Sequence, residues 1–160
     1  MTLESIKTVA VLGAGTMGNG IAHVFARAGY SVILRDVQES FLERGMETIG
    51  KNLDREMKKG KLTEADKAQV LARLKPVTDM AAVAVADFVV EAVPEKLEIK
   101  RAVLTEADKL LRPEVILTSN TSSIAITTLA AMTKSSSKGA DSGSENSEVT
   151  SLRCASAHSQ

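Results

Sequence analysis

Two patterns of hydrophobic residues alternate along the first 134 residues, and each pattern predicts a different kind of secondary structure. Short runs rich in Val and Ile predict strands that are buried on both faces of a sheet. These runs are IKTVAVLG at 6–13, YSVILRD at 30–36, ADFVVEAV at 86–93 and EVILTS at 114–119. A fifth run, LKPVT at 74–78, predicts an edge strand because Pro76 cannot donate a hydrogen bond to a sheet ladder.

Between the strands, apolar residues recur at three- and four-residue steps, which predicts helices. The first helix follows Gly18 and ends at Gly29, and its predicted apolar positions are Ile21, Val24, Phe25 and Ala28. Residues 40–75 have the same spacing with more charges and a break at Gly60. This pattern predicts an inserted antiparallel helical hairpin, whose second helix starts with a capping-box variant at Thr63 and Asp66.

Two further helices are predicted, one at residues 96–111 and one that starts at Ser122 or Ser123. Strands that alternate with helices predict an α/β domain with a doubly wound parallel sheet. We place this domain at residues 1–134. Residues 135–160 are rich in serine and poor in aliphatic residues, so we expect a disordered tail without secondary structure.

Charge and composition exclude several classes of function. The chain has 20 basic and 20 acidic residues, which argues against a nucleic acid or an anionic membrane as a partner held by bulk charge. No apolar run approaches the roughly 18 residues that a membrane helix needs, and the N-terminus lacks the features of a secretory signal. Cys154 is the single cysteine, so neither an intrachain disulfide nor a cysteine metal cluster is expected, and we predict a cytoplasmic protein.

The turn after the first strand has the spacing G-x-G-x-x-G of a dinucleotide-binding loop, followed by a helix. Gly13 permits a tight turn, Gly15 lets a diphosphate approach the backbone, and Gly18 lets the helix lie close to the strand. Backbone N–H groups at the start of the helix would then bind the phosphates. The loop predicted to bind the cofactor comprises Gly13, Ala14, Gly15, Thr16, Met17 and Gly18. The alternative is that these glycines serve packing alone.

Asp36 ends the second strand, 18 residues after Gly18. A carboxylate there accepts hydrogen bonds from the ribose hydroxyls of NAD and would repel the 2′-phosphate of NADP, so we predict NAD. Arg35 is adjacent, but alternation along a strand should point it elsewhere. The alternative role of Asp36 is that of a strand-end cap. Together these features predict a Rossmann-type fold.

With these motifs in order, the chain resembles the N-terminal NAD-binding domain of the 3-hydroxyacyl-CoA dehydrogenase family, which includes 3-hydroxybutyryl-CoA dehydrogenases. The resemblance covers residues 6–134 and includes the position of the helical hairpin. It implies reversible oxidation of the 3-hydroxyl of an acyl-CoA to a ketone, with hydride transfer to NAD. The stretches that carry it are VLGAGTMGNGIA, LRDV, VVEAVPEKLEIK and TSNTSSI.

The resemblance also implies roles for individual residues. Met17 and Asp36 match positions beside the cofactor and at its adenosine ribose, and Glu95 and Lys100 match positions at the nicotinamide half. Ser122 matches the residue that contacts the substrate oxygen and the nicotinamide end.

Two further positions follow from the same comparison. Asn120 would shape the turn before Ser122, and Lys59, at the hairpin tip, matches a contact to the CoA phosphates. Glu91, Glu95 and Ser122 would all lie near the carboxyl ends of strands, where ligands bind in such sheets.

Each of these roles has a plainer alternative. Ser122 could be a helix N-cap, either instead of or together with its substrate role. Glu95 and Lys100 could be a solvated helical pair, and Lys59 could belong to an ordinary exposed helix end.

The chain departs from the family after residue 134. The family continues there into a strand with HFFNP, whose histidine is the general base, and then into a helical domain that closes over the acyl chain and forms the dimer. His158 matches no motif, and we expect His23 to be structural or on the surface, with no acid placed by sequence to orient it. We therefore predict weak or no turnover by this chain, and an uncovered sheet edge at residues 114–118 that could associate weakly with a copy.

Three hypotheses remain open from the sequence. The first is an NAD-dependent 3-hydroxyacyl-CoA dehydrogenase, in whole or as a fragment. The second is a non-catalytic NAD-binding module, or a short form that pairs with a separate chain supplying the base and the helices. The third is a related dehydrogenase of a small hydroxy acid, which SNTSS at 119–123 and the inserted hairpin disfavour.

Overall fold

The computed structural model describes residues 5–121 and 150–151. Within these residues, strands and helices alternate as the hydrophobic pattern predicts. The strands are β1 (Thr8–Leu12), β2 (Ser31–Arg35), β3 (Leu74–Val77), β4 (Phe88–Glu91), β5 (Ile116–Ser119) and β6 (Thr150–Ser151). The helices are α1 (Thr16–Arg27), α2 (Glu39–Lys58), α3 (Glu64–Ala72) and α4 (Leu97–Leu110), with a 3-10 helix at Met80–Val85.

The sheet has the strand order β3-β2-β1-β4-β5-β6. The first five strands are parallel, with Val9 of β1 opposite Val32 of β2 on one side and Phe88 of β4 on the other. The order reverses between β1 and β4, and such a reversal opens a crevice at the carboxyl ends of these strands. The doubly wound parallel sheet with an inserted hairpin is therefore confirmed.

The core lies on both faces of the sheet, because successive strand residues point to opposite sides. Ala10, Leu12 and Val89 pack with α4 and the 3-10 helix on one face. Val11 and Leu34 pack with α1 and the hairpin on the other face. The runs of the central strands β1, β2 and β4 are continuous and apolar because both faces of the sheet are covered there.

Helix α1 packs on the sheet through a face that includes two of its four predicted apolar positions. Its buried residues are Gly18, Asn19, Ala22 and Ala26. Ile21 and Phe25 are partly buried against the same cluster, but Val24 is 67% exposed and Ala28 is exposed. The helix lies so close to the sheet that small side chains fill the contact, so the larger apolar residues do not mark its inner face.

The predicted hairpin is confirmed as α2 and α3. Gly60 between them has φ +68°, a conformation that glycine adopts without strain. The capping box is present: the Asp66 N–H donates to the Thr63 hydroxyl over 3.1 Å, and the Thr63 N–H donates to the Asp66 carboxylate over 2.9 Å. Helix α2 also reaches the loop after β1, since a Cβ on Gly45 would lie 3.0 Å from the Ala14 carbonyl oxygen.

Strand β3 lies at the edge of the sheet, as predicted, and Pro76 lies opposite Leu34 of β2. The 3-10 helix at Met80–Val85 was not predicted. Asp79 caps it, because its carboxylate accepts the Ala81 N–H over 2.9 Å.

The opposite edge of the sheet differs from two expectations at a few residues. Strand β6 pairs antiparallel with β5, with Thr118 opposite Ser151 and Ser119 opposite Thr150. The edge is therefore not uncovered at these positions, and the tail is not entirely without secondary structure. The pairing covers the last two residues of β5, and of the predicted open edge at 114–118 it reaches only Thr118. The helix predicted from Ser122, the rest of the tail and His158 lie outside the described residues.

Among the described residues, no helix combines the length and hydropathy that crossing a membrane requires.

Candidate functional site

A cavity of about 920 Å³ opens at the carboxyl ends of the central strands, where the strand order reverses. Its wall includes the glycine loop after β1, the end of β2, the loop after β4 and the loop after β5, together with residues of α2 and α4. The volume is in the range of sites that hold small molecules and cofactors. The predicted residues on its wall are Gly13, Ala14, Gly15, Thr16, Met17, Asp36, Glu95 and Asn120.

The three motif glycines have different surroundings. A Cβ on Gly13, which has φ +108°, would lie 2.6 Å from the Ala92 carbonyl oxygen, and a Cβ on Gly18 would overlap the Gly13 carbonyl oxygen. A Cβ on Gly15 would have no heavy atom within 4 Å. Packing alone therefore explains Gly13 and Gly18 but not Gly15, whose missing side chain leaves room in the cavity.

The amino end of α1 faces this room. Gly15 occupies the N-cap position, where no side chain caps the helix and no acidic residue lies in the first turn. The first N–H groups of a helix have no partner within the helix, and the helix dipole places partial positive charge there. Asn19 reinforces the turn, because its side-chain amide and its backbone N–H both donate to the Gly15 carbonyl, over 2.7 and 2.9 Å. The arrangement is suited to an anion such as a phosphate.

Asp36 lies beside the glycine loop and holds it in place. One carboxylate oxygen accepts the Ala14 N–H over 2.7 Å, and the other accepts the Val37 N–H over 2.7 Å. Each carboxylate oxygen can accept a second hydrogen bond, so Asp36 can serve the strand end and a ligand hydroxyl together. Arg35 also borders the cavity, although its Nε donates away from Asp36, to the Thr78 carbonyl over 3.2 Å.

Lys100 lies behind the cavity wall rather than on it. Its side chain has no exposed surface, and its ammonium contacts both carboxylate oxygens of Glu91 over 2.9 Å. The same ammonium lies 3.2 Å from a Glu95 carboxylate oxygen and donates to the Asn120 carbonyl over 3.2 Å. The alternative of a solvated helical pair is therefore wrong for Lys100, because the lysine is buried and its nearest carboxylate is that of Glu91.

Glu95, Asn120 and Thr121 present the outer surface of this cluster to the cavity. The Thr121 hydroxyl donates to the Glu95 carboxylate, and the Asn120 N–H donates to the Glu91 carbonyl over 2.8 Å. These contacts bring the loops after β4 and β5 together. Ser122, the next residue, lies outside the described part of the chain.

The structure does not bring Lys59 to the described wall of the cavity. It is exposed at the C-cap of α2, and its N–H donates to the Arg55 carbonyl over 3.2 Å.

His23 is likewise absent from the cavity wall. The sequence placed no acid beside it, and the structure brings one there: its Nε2 lies 3.5 Å from a Glu56 carboxylate oxygen, and Glu56 is also paired with Arg27. Burial, and then the charge of Arg27, lower the pKa of His23. The acid comes from α2, 33 residues along the chain from His23, so only the packing of two helices reveals it.

Sequence reasoning missed the contribution of helix α2 to the cavity. Phe41, Arg44 and Thr48 lie on its wall, one helical turn apart. The spacing of three and four residues is the signal that these side chains share a face. That face borders the cavity, whereas Leu42, Ile49 and Leu53 face the core.

The fold and the cavity together define a dinucleotide-binding domain of the doubly wound class. Residues 8–141 match the family model described as 3-hydroxyacyl-CoA dehydrogenase, NAD binding domain. The chain therefore belongs to this family, in which the domain's cofactor is NAD.

Similar proteins support the same family. The chain is 48% identical over 128 residues to the 3-hydroxybutyryl-CoA dehydrogenase of Bradyrhizobium diazoefficiens. The matched region covers 80% of this chain and 44% of that protein. It is 45% identical over 130 residues to the 3-hydroxyadipyl-CoA dehydrogenase of Escherichia coli. Here the matched region covers 81% of this chain and 27% of that protein.

A solved structure has the same fold. The (S)-3-hydroxybutyryl-CoA dehydrogenase PaaH1 of Ralstonia eutropha superposes with a TM-score of 0.81 at 45% identity, over 82% of this chain and 47% of that one. The chain thus spans between about a quarter and just under half of the length of these relatives.

Proposed function

We propose that this chain is the cofactor-binding part of a 3-hydroxyacyl-CoA dehydrogenase, which oxidises the 3-hydroxyl of an acyl-CoA to a ketone with hydride transfer to NAD. The observation that carries the proposal is the open space at Gly15, bordered by the uncapped start of α1 and by the carboxylate of Asp36. The names of the relatives support an acyl-CoA as the substrate class.

The residues present fit NAD along the length of the cavity. Backbone N–H groups at the start of α1 bind the diphosphate, and Gly15 allows it to approach. Asp36 binds the adenosine ribose, and Met17, which is 53% exposed in the cavity wall, lies beside the cofactor. Glu95 and Asn120 border the nicotinamide half. When bound, NAD supplies the hydride acceptor.

Three more residues complete the proposed site. Lys100 acts from beneath the surface, by holding Glu95 and the loop at Asn120. Ser122 contacts the substrate oxygen, since it directly follows the described wall residues Asn120 and Thr121. Lys59 contacts a CoA phosphate from the exposed end of α2.

We also propose that the 160-residue chain turns over 3-hydroxyacyl-CoA slowly or not at all. In the described wall of the cavity there is no histidine to accept the proton of the alcohol. General acid–base help is typically worth about 10²–10⁴-fold in rate.

Titration of NADH and NADPH, followed by nicotinamide fluorescence, tests the cofactor assignment. We expect the wild-type chain to prefer NADH, and Asp36→Ala to weaken NADH binding about 10–100-fold, because a charge-assisted hydrogen bond contributes about 1.5–3 kcal/mol. The Asp36→Ala variant should also show a smaller difference in affinity between NADH and NADPH than the wild-type chain. Asp54→Ala, on the exposed side of the hairpin, is the matched control and should bind like wild type.

Two results would contradict the proposal. Equal affinity of the wild-type chain for NADH and NADPH would refute the role of Asp36, and a lack of binding to either would refute the function. Turnover of 3-hydroxybutyryl-CoA at about 1–10³ s⁻¹, the usual range of enzymes, would refute the slow-turnover proposal.

A further inference from the structure

The cluster behind the nicotinamide end of the cavity is centred on Glu91, the last residue of β4. Its carboxylate is fully buried and accepts hydrogen bonds from three different segments. Lys100 of α4 donates to both oxygens over 2.9 Å, the Val93 N–H donates over 2.7 Å, and the Ser119 hydroxyl at the end of β5 also donates. One carboxylate thus joins β4, β5 and α4 at their cavity ends.

We propose that Glu91 is a positioning residue that fixes the nicotinamide half of the site without contacting the cofactor. Glu91 is not on the cavity wall, but each group that it holds continues into the wall. Val93 belongs to the loop that carries Glu95, and Ser119 directly precedes Asn120. This inference rests on the proposed binding of NAD.

Lys100 transmits this constraint to the wall. Its buried ammonium lies 3.2 Å from a carboxylate oxygen of Glu95, 3.2 Å from the Asn120 carbonyl and 3.5 Å from the Val93 carbonyl. A buried ammonium that loses its carboxylate moves toward another acceptor or takes up water. Removing Glu91 therefore leaves Lys100 to rearrange among the groups that shape the wall.

The hydrogen bonds of Glu91 reach only one half of the cavity. The glycine loop and Asp36, which line the adenosine and diphosphate half, share no hydrogen bond with Glu91 in the described structure. A change at Glu91 should therefore affect the nicotinamide end selectively. Loss of the fold as a whole would instead affect both halves.

Binding of NADH and of ADP to the full 160-residue chain separates these outcomes, since ADP has the adenosine and diphosphate groups but no nicotinamide. The test variant is Glu91→Gln combined with Lys100→Gln, which removes both buried charges together and leaves neither uncompensated. We expect NADH affinity to fall about tenfold, with loss of the nicotinamide fluorescence change on binding, and ADP affinity to stay within about twofold.

Ser119→Ala is the second variant, because it removes one hydrogen bond to Glu91 without disturbing the charges. We expect a smaller loss for NADH, about twofold to fivefold, again without loss for ADP. Thr118→Val is the matched control: it removes a buried hydrogen bond from the neighbouring residue to the Val89 carbonyl, so both affinities should stay at their wild-type values.

Parallel losses of NADH and ADP affinity in both test variants would overturn the inference, and so would unchanged NADH affinity in both. If the double variant fails to fold, the Ser119→Ala result decides by the same criteria. Failure of the wild-type chain to bind NADH would instead refute the proposed function. Failure of the inference about Glu91 and failure of the proposed function are therefore distinguishable.

Discussion

Replacement of Gly15 by alanine tests why this position has no side chain. The missing side chain either leaves room for a ligand or allows close packing within the protein. In the structure a Cβ at this position would meet no heavy atom within 4 Å. The backbone has φ −65° and ψ −168°, which alanine adopts without strain. The substitution therefore adds a methyl group to the cavity and leaves the packing of the protein unchanged.

The expected effect on stability is small because two terms oppose each other. Alanine restricts the unfolded chain more than glycine does, which stabilises the fold by about 0.4–1 kcal/mol. Alanine is also the poorer N-cap residue, which costs about 0.5–1 kcal/mol. The midpoint of thermal unfolding should therefore stay within about 2 °C of the wild-type value.

The expected effect on binding is large. The added methyl group keeps the diphosphate away from the N–H groups at the start of α1. Loss of two charge-assisted hydrogen bonds, at about 1.5–3 kcal/mol each, amounts to about 3–6 kcal/mol. This corresponds to a decrease of about 10²–10⁴-fold in NADH affinity, which a fluorescence titration measures.

Gly20→Ala is the matched control, since a Cβ there also has no heavy atom within 4 Å and the residue lies within α1. We expect it to stabilise the helix by about 0.5–1 kcal/mol and to bind NADH like wild type. Wild-type NADH affinity in the Gly15→Ala variant would refute the placement of the diphosphate.

Three further predictions concern stability. Gly18→Ala should destabilise the fold by about 3 kcal/mol in denaturant unfolding, because its Cβ would overlap the Gly13 carbonyl oxygen; wild-type stability would contradict the tight contact of α1 with the loop. Thr63→Ala should cost about 1 kcal/mol through loss of the capping box and leave NADH affinity unchanged, since the hairpin tip does not line the cavity. Burial lowers the pKa of His23 below its unfolded value of 6.5, so its contribution to stability is complete above that pH and is lost as pH falls toward the lowered value. Unfolding measured from pH 7.5 to 5 should therefore show a smaller decrease in His23→Gln than in wild type, and equal slopes would contradict the lowered pKa.

The strands, the hairpin and the glycine loop were predictable because their signals are local. A run such as VAVLG is long enough to define a buried strand, and the break at Gly60 with the capping box at Thr63 defines the hairpin by neighbouring residues. The spacing also predicted a crowded Gly13 and Gly18 and an open Gly15, and the surroundings of the three glycines agree with this.

The remaining features depend on contacts between distant segments. Val24 is exposed because small residues allow α1 to approach the sheet, and hydrophobicity alone ranks a valine above an alanine as a core residue. A lysine is normally assigned to the surface. Lys100 is buried because the end of β4 places Glu91 beside it, which the charge pattern of α4 does not reveal.

The contact between Gly45 and Ala14 has a consequence for protein engineering. Because a Cβ on Gly45 would lie 3.0 Å from the Ala14 carbonyl oxygen, a side chain at that point would press the inserted hairpin against this nucleotide loop. A chimera that transplants the hairpin into another dehydrogenase scaffold should retain this glycine and match the recipient loop to it. The insertion therefore meets its host at a close backbone contact as well as through the shared core, and exchange of either part alone would disturb that contact.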